Sequence, residues 1–432
     1  MKDFARSDDP AVQAQLDRLA KLSLPQGRFG LETIRALLAR LGDPQRRLPP
    51  VFHVAGTNGK GSTCAFLRAI LEADAKRVHT ATKPHLVRYN ERIRIGGTLI
   101  SDAELAARLE TVLDASEDLG PSFFEVTTAA TFLAFAESPA DACVIEVGLG
   151  GRFDATNVLE PGVLAACGIA SLGIDHEAFL LAPEDGTPAE PIARIAFEKA
   201  GIVRPGRPLV TQAYPEPAAL EVERAAMAAG APLHMRGRDW SAHPGDGIEY
   251  EDRHGRLALP SPVLTGRHQE DNAALAVAML RHQDFVTVAP ESMAEGLRRA
   301  RWPARLQRLA PGPLAALAPG REVWLDGGHN PDAGAAIARH FDGPLHLVIG
   351  MLANKNPAAI VEPLRGRIAS LSVVPVPGSE SHGAGAFGPG ARSFDDVSQA
   401  LVALPADGLP VLIAGSLYLA GEVLRTNREV PD

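Results

Sequence analysis

Residues Ala55-Gly56-Thr57-Asn58-Gly59-Lys60-Gly61-Ser62, directly after the apolar run Val51-Phe52-His53-Val54, carry the most specific chemistry in the chain. Glycines let backbone N–H groups converge on one anion, and Lys60 adds a mobile positive charge. A helix over 62–73 would turn its positive end toward the same anion. The stretch reads as a phosphate-binding loop between a strand and a helix. It departs from the general P-loop pattern, which places Ser or Thr immediately after the lysine. Here Gly61 intervenes, and Val54 stands where the first glycine belongs. A glycine-rich turn with no ligand is the plainer alternative.

Other residues could join it. Cys143-Val144-Ile145-Glu146-Val147-Gly148 puts a carboxylate at the end of a buried-type strand. Ligands of open α/β sheets gather at that edge, and there Glu146 could hold Mg²⁺, a hard cation that wants oxygen. The following strand leads into Asp175-His176, and Lys199 sits near a helix end in Phe197-Glu198-Lys199-Ala200-Gly201-Ile202. Each has a bland reading: a solvent-facing strand-end Glu, a structural or surface His, an exposed helix-terminal Lys. A second strand–turn–helix pattern occurs in Val323-Trp324-Leu325-Asp326-Gly327-Gly328-His329-Asn330-Pro331. Asn330 is expected to cap the helix, with Pro331 at its first position. Asp326 and His329 would face a crevice, unless this is merely a tight capped turn. Two such turns in two domains suggest a ligand site in the cleft between them.

The elements that must position these residues alternate. Strands are expected over 51–55, 142–147, 164–170, 208–212, 322–326, 345–350, 370–376 and 410–414. Helices are expected over 62–73, 102–118, 126–137, 190–200, 216–229, 268–281, 331–340, 356–367 and 417–426. Several strands are apolar throughout, as in sheets covered on both faces, so the alternation predicts α/β domains with largely parallel sheets. With 432 residues, more than one domain is expected, and the boundary falls near 299–305, giving 1–298 and 299–432. Segments 180–191, with three prolines, and 378–392, rich in glycine, read as irregular.

Composition narrows the partners. Acidic residues (52) outnumber basic ones (43), for a net charge of −9. That disfavours non-specific binding to nucleic acid or anionic membrane, but not a small anionic substrate in a local basic pocket. The three cysteines, Cys64, Cys143 and Cys167, lie in apolar stretches without paired spacing. They fit a reducing compartment. The first nine residues lack the apolar core of a signal peptide, and no run approaches the ~18 apolar residues of a membrane span. A cytoplasmic protein, acting as a monomer on small molecules, is expected.

Taken together the segments resemble the folylpolyglutamate synthase/dihydrofolate synthase branch of the Mur ligase superfamily. The resemblance runs from Phe29-Gly30-Leu31-Glu32 to Gly415-Ser416-Leu417-Tyr418. In the family's order come Gly56–Ser62, Pro84-His85-Leu86-Val87-Arg88-Tyr89-Asn90-Glu91-Arg92-Ile93, and Glu146-Val147-Gly148-Leu149-Gly150-Gly151-Arg152-Phe153-Asp154-Ala155-Thr156-Asn157. Asp175-His176, Glu198–Ile202 and Asp326–Pro331 follow. The resemblance implies an N-terminal P-loop-type ATPase domain with a mostly parallel sheet and a smaller Rossmann-like C-terminal domain. It also implies ATP-dependent ligation of L-glutamate to dihydropteroate and to folates through an acyl phosphate.

Site roles follow from the resemblance, position by position. Asn58, Gly59, Lys60, Gly61 and Ser62 would hold the ATP phosphates, with Asn272, Arg305 and Asp326 as further contacts. Ser62 and Glu146 would approach one Mg²⁺; Glu146, His176 and a carbamylated Lys199 would serve a second. Lys60, Lys199 and His329 would be catalytic. Phe29, Gly30, Phe123, Phe124, Glu125, Phe153, Asp154 and Ala155 would line a pterin or folate site, the aromatic pair against a flat ring. Two departures stand out. Most relatives carry Ser where this chain has Lys83, and an ammonium cannot ligate a cation; that contact would be lost, replaced by water, or Lys83 would neutralise phosphate itself. Segment 180–191 is also longer than is typical.

Alternatives remain at this level. The enzyme could be a folylpolyglutamate synthase without dihydropteroate activity, or a non-catalytic nucleotide-binding regulator. A ligase acting on a cell-wall UDP-sugar would need an N-terminal UDP-binding domain, and only 50 residues precede Val51.

Overall fold

A computed structural model describes residues 6–22 and 30–431. The chain divides into two compact units. The first comprises Met1–Lys83, Tyr89–Val263 and Gln269–Arg301, and the second Pro84–Arg88, Leu264–His268 and Trp302–Asp432. Two short segments thus leave the first unit and return to it, a grouping with no mark in composition.

The first unit holds eleven strands in two sheets. Those of the large sheet are β1 (Val51–Ala55), β2 (Val78–Ala81), β3 (Ile93–Ile95), β4 (Thr98–Leu99), β5 (Ala142–Glu146), β6 (Leu164–Ile169), β7 (Leu209–Thr211) and β8 (Leu233–Met235). Their order is β4-β3-β2-β5-β1-β6-β7-β8. The six from β2 to β8 in that order run parallel, and the β2–β3 and β3–β4 pairings are antiparallel. The inner strands are buried residue by residue, because helices cover both faces of a parallel sheet. A separate antiparallel meander follows: β9 (Trp240–Gly245), β10 (Gly247–Asp252) and β11 (Gly255–Leu259). No strand is expected there from apolar runs, yet Gly245-Asp246-Gly247 between alternating apolar residues is a hairpin signal.

The second unit is one six-stranded sheet of β12 (Gln307–Arg308), β13 (Val323–Leu325), β14 (Leu345–Ile349), β15 (Ile368–Val373), β16 (Ala391–Ser393) and β17 (Val411–Ala414). The order is β12-β13-β17-β14-β15-β16, parallel except at β12. Apolar clusters lie around Leu325, Val348 and Val411 and around Leu345, Leu347 and Leu412. No described helix is long and apolar enough to cross a membrane.

Candidate active site

Strand β1 lies between β5 and β6, and its C-terminal end opens into the glycine loop. The helix beyond spans Lys60–Ala73, starting two residues earlier than its apolar pattern suggests. Gly59 caps it at φ 84°, a left-handed conformation that favours glycine. A Cβ on Gly59 would also stand 2.2 Å from Asn272 Oδ1, so Asn272 lies directly against the loop. The helix has no side-chain cap. The loop is tied instead to the chain after β6: Thr57 N donates to Ser171 O at 2.8 Å, Ser171 Oγ to Asn58 O at 3.1 Å, and Thr57 Oγ1 to Gly173 O at 2.8 Å. Lys60 Nζ rests on the carbonyls of Gly56 and Thr57, at 3.1 and 3.2 Å. Ser62 is buried at the first turn.

Glu146 is the last residue of β5 and stands in register with Val54. Its Oε2 accepts a 3.0 Å bond from the backbone N–H of Lys83. The Lys83 side chain is the departure noted above, and its charge acts on Asp154. Burial pushes the Asp154 carboxyl up, but Lys83, Thr156 and the Leu149 amide outweigh it and hold it below the usual range. Asp154 accepts four hydrogen bonds: Gly148 N and Leu149 N at 2.9 Å on Oδ2, Thr156 N at 3.0 Å and Thr156 Oγ1 at 2.5 Å on Oδ1. A carboxylate has about four lone-pair directions, so Asp154 is spent on the turn after β5. The hydroxyl of Thr156 has one hydrogen, given to Asp154, so at 2.8 Å it must accept from His53 Nε2. His53 is therefore the Nε2–H tautomer, and burial holds its pKa down to about 3.

Lys199 is the penultimate residue of the helix Pro191–Ala200 and is 4% exposed. Burial and the charge of Lys60, working against Asp175, Asp154 and Glu198, lower its pKa to about 7. The loop lysine and this buried lysine are therefore neighbours on the same edge of the sheet. His176 stands at φ 55°, with its N–H donating to Asp175 Oδ1 at 2.7 Å. Among the described residues no group of three or more His, Cys, Asp or Glu is arranged to hold a metal ion.

The expected pterin residues separate. Phe29 lies outside the described residues. Phe123, Phe124 and Glu125 form the first turn of a helix spanning Phe123–Ala136, where 126 is the start expected from pattern. Glu125 closes a capping box, its Oε2 accepting Ser122 N and Ser122 Oγ at 2.8 Å. The rings of Phe123 and Phe124 are tilted, with centroids 4.6 Å apart. Phe123 packs on the core and lies 5.7 Å from the Arg92 guanidinium. Phe153 is half-buried under Arg152 at 4.2 Å. Ala155 is buried, and Gly30 is half-buried beside Glu32.

In the second unit the structure gathers Arg305, Asp326 and His329. Asp326 Oδ2 accepts Leu306 N at 2.8 Å and Oδ1 accepts Gly328 N at 2.6 Å. Asn330 caps the helix Pro331–Ala338 by accepting Ala333 N at 2.9 Å. His329 Nδ1 lies 3.1 Å from Gly327 O. Arg305 is flanked by Ala304 at φ 56° and Leu306 at φ 43°. Two left-handed non-glycine residues on either side of one position mark a backbone over-determined by its surroundings, and nothing in Trp302-Pro303-Ala304-Arg305-Leu306 announces it.

A glycine loop with its own lysine, at the carboxyl edge of a parallel sheet and followed by a second, smaller α/β sheet unit, defines a P-loop-type α/β protein of Mur ligase architecture. No family model matches the chain. Relatives do. The Escherichia coli dihydrofolate synthase/folylpolyglutamate synthase is 33% identical, over 92% of this chain and 90% of that protein. Crystal structures agree. The Yersinia pestis bifunctional folylpolyglutamate synthase/dihydrofolate synthase, complexed with AMPPNP and Mn, superimposes with TM-score 0.83 at 30% identity, covering 97% of this chain and 98% of that one. The E. coli protein in complex with DHPP and ADP gives TM-score 0.83 at 31% identity, covering 97% of each chain. The chain belongs to the folylpolyglutamate synthase/dihydrofolate synthase family.

Proposed function

We propose that this chain is an ATP-dependent ligase that joins L-glutamate to dihydropteroate, forming dihydrofolate, and to folates, forming polyglutamates. The observation that supports it most is the pairing of Lys60 with Lys199. One lysine serves the glycine loop; the other is buried, with a pKa of about 7. A half-neutral amine reacts with CO₂, and the carbamate so formed is an oxygen donor instead of a cation.

In this reading the uncapped first turn of Lys60–Ala73 and the Lys60 ammonium take the ATP phosphates, Lys60 leaving the Gly56 and Thr57 carbonyls to do so. Asn272 borders the nucleotide from beside Gly59. Ser62, Glu146, His176 and carbamylated Lys199 would hold Mg²⁺. A sparse protein donor set suits this ion, which keeps waters and phosphate oxygens in its shell. Bound there, it would neutralise charge on the transferring phosphoryl group. Arg305, Asp326 and His329 of the second unit are assigned to the nucleotide. The acceptor carboxylate attacks the γ-phosphorus, giving acyl phosphate and ADP. The neutral amine of glutamate then attacks the acyl carbon, phosphate leaves, and the amine proton is lost. Binding and orientation are what these residues supply. Phe123, Phe124 and Phe153 offer ring faces to the acceptor. Asp154 supports that region by fixing the turn that carries Phe153. Three free, buried cysteines are consistent with a cytosolic location.

Purified protein given ATP and Mg²⁺ should release phosphate only when both glutamate and dihydropteroate, or glutamate and tetrahydrofolate, are present. ADP formation indifferent to both acceptors would refute the assignment. Turnover with tetrahydrofolate alone would restrict it to polyglutamate synthesis.

A further inference from the structure

Segment 180–191, set apart above by its prolines and its length, carries Glu184, whose side chain fastens it to the Lys199 helix. Glu184 bridges two arginines: its Oε2 accepts from Arg194 Nη2 at 3.0 Å and from Arg152 Nη2, and its Oε1 accepts from Arg152 Nη1 at 3.2 Å. The same arginines hold Glu198: Arg152 reaches it at 2.8 and 3.2 Å, Arg194 at 3.0 Å. Two cations and two anions thus balance in a cluster whose Arg194 and Glu198 side chains are 6% and 7% exposed.

Remove the charge of Glu184 and two guanidiniums face one carboxylate at low exposure, a costly arrangement. Arg194 is poorly placed to yield, being nearly buried and bound through Nε to Leu180 O at 3.0 Å. Arg152, 22% exposed, is the one that can leave. Arg152 also lies over the rings of Phe153 and Phe197, at 4.2 and 4.9 Å, and its backbone N–H donates to Glu198 O at 2.8 Å. There the two segments touch too closely for side chains: a Cβ on Gly151 would stand 2.7 Å from Glu198 O, and one on Gly201 2.6 Å from Arg152 Cα. The turn bearing Phe153 and Asp154 is therefore held to the Lys199 helix through Arg152.

We propose that Glu184 is a positioning residue: by pinning Arg152 it fixes turn 148–157, the proposed acceptor-binding region, against the helix that carries Lys199. The kinetic consequence rests on the proposed function; the structural one does not. Hydrogen–deuterium exchange on the full-length protein tests the second directly. Glu184→Gln keeps shape and loses charge. It should speed amide exchange in 148–157 by roughly tenfold or more, with Glu184→Asp closer to wild type. In steady-state assays Glu184→Gln should raise the KM for dihydropteroate roughly tenfold, leaving kcat and the KM for ATP within about twofold, a tenfold change being about 1.4 kcal/mol. Unchanged exchange in 148–157 would overturn the inference. So would exchange that quickens throughout the chain while every kinetic parameter falls together, the mark of general destabilisation. A wild-type protein that turns over no folate-type acceptor would defeat the functional reading alone, and the exchange result would still decide the role of Glu184.

Discussion

The molecule contains two strand–glycine–helix turns that look alike in sequence and differ in how they spend their backbone donors. After β13, Asn330 accepts the Ala333 amide and Asp326 accepts the Gly328 and Leu306 amides. The chain satisfies itself there, and the helix start is closed by its own side chains. After β1, Gly59 begins the helix without a side-chain cap, and the nearby ammonium sits on two carbonyls that a stronger anion would displace. The first four N–H groups of any helix need partners. Where the sequence withholds a capping Ser, Thr, Asp or Asn and supplies glycine and lysine instead, the partner is meant to arrive from outside. The first turn leaves its backbone donors open to a ligand; the second spends its own on the chain, and has only side chains to offer one.

Breaking the binding turn should give the largest effect. Lys60→Ala removes the charge from the loop; ligation should fall ~10³-fold, within the range lost when a phosphoryl-transfer charge is deleted. The assay is phosphate release, and circular dichroism should be unchanged. An activity within tenfold of wild type would mean the loop does not carry the phosphates.

Lys199 comes next and separates function from stability. Lys199→Ala should lose ligation by ~10²-fold or more while ATP still binds in calorimetry. Lys199→Met removes a buried amine whose pKa has been driven from 10.5 to about 7. It should raise the unfolding temperature by a few degrees while abolishing turnover, a stability–activity exchange. The pH sign follows from the same shift. Between about pH 7 and 10.5 the unfolded state binds the proton that the folded state has lost, so this lysine makes stability rise with pH across that window. The Met variant should lose that part of the slope. The neutral amine grows from about a tenth at pH 6 to about nine-tenths at pH 8. Protein stripped of CO₂ should therefore regain activity roughly tenfold faster at pH 8 than at pH 6, at equal dissolved CO₂. Reactivation independent of pH would remove the carbamate from the mechanism.

Sequence made the glycine turn after β1, the strand-end place of Glu146 and the Asn330-Pro331 cap legible, because each is a local pattern: a strand's apolar run, then a residue type at a fixed offset. The parallel sheets were legible for the same reason. Asp154 and Glu125 were read as ligand groups; the structure shows both accepting from amides and hydroxyls two to six residues away, and a carboxylate facing such a local donor looks in sequence like one facing a substrate. Lys83 was recognised as unusual, but its direction toward Asp154 depends on how two loops pass each other. The Arg152–Glu184–Arg194–Glu198 cluster joins residues up to 46 apart, so no window contains it. The meander from Trp240 to Leu259 had its hairpin turns in view and was missed because short, partly polar strands lack apolar runs.

The smallest effect should come from the turn that closes itself. Asn330→Ala deletes the cap on Ala333 N and leaves that amide to water or to nothing. A lost cap costs about 1 kcal/mol, which in a chain of this size is a fall of about 1 °C in unfolding temperature. The Asn330 cap serves the helix backbone through Ala333 N, so nucleotide affinity measured by calorimetry should move less than about threefold. The companion change at the other turn is Gly59→Ser, which offers a side-chain cap where none exists. It should fail as a stabiliser, because φ 84° disfavours a side chain and a Cβ there stands 2.2 Å from Asn272 Oδ1. Nucleotide affinity should fall further than stability. If instead Asn330→Ala weakened nucleotide binding as much as Gly59→Ser, the backbone of both turns would serve the nucleotide, and the division between donors left open and donors spent on the chain would be lost.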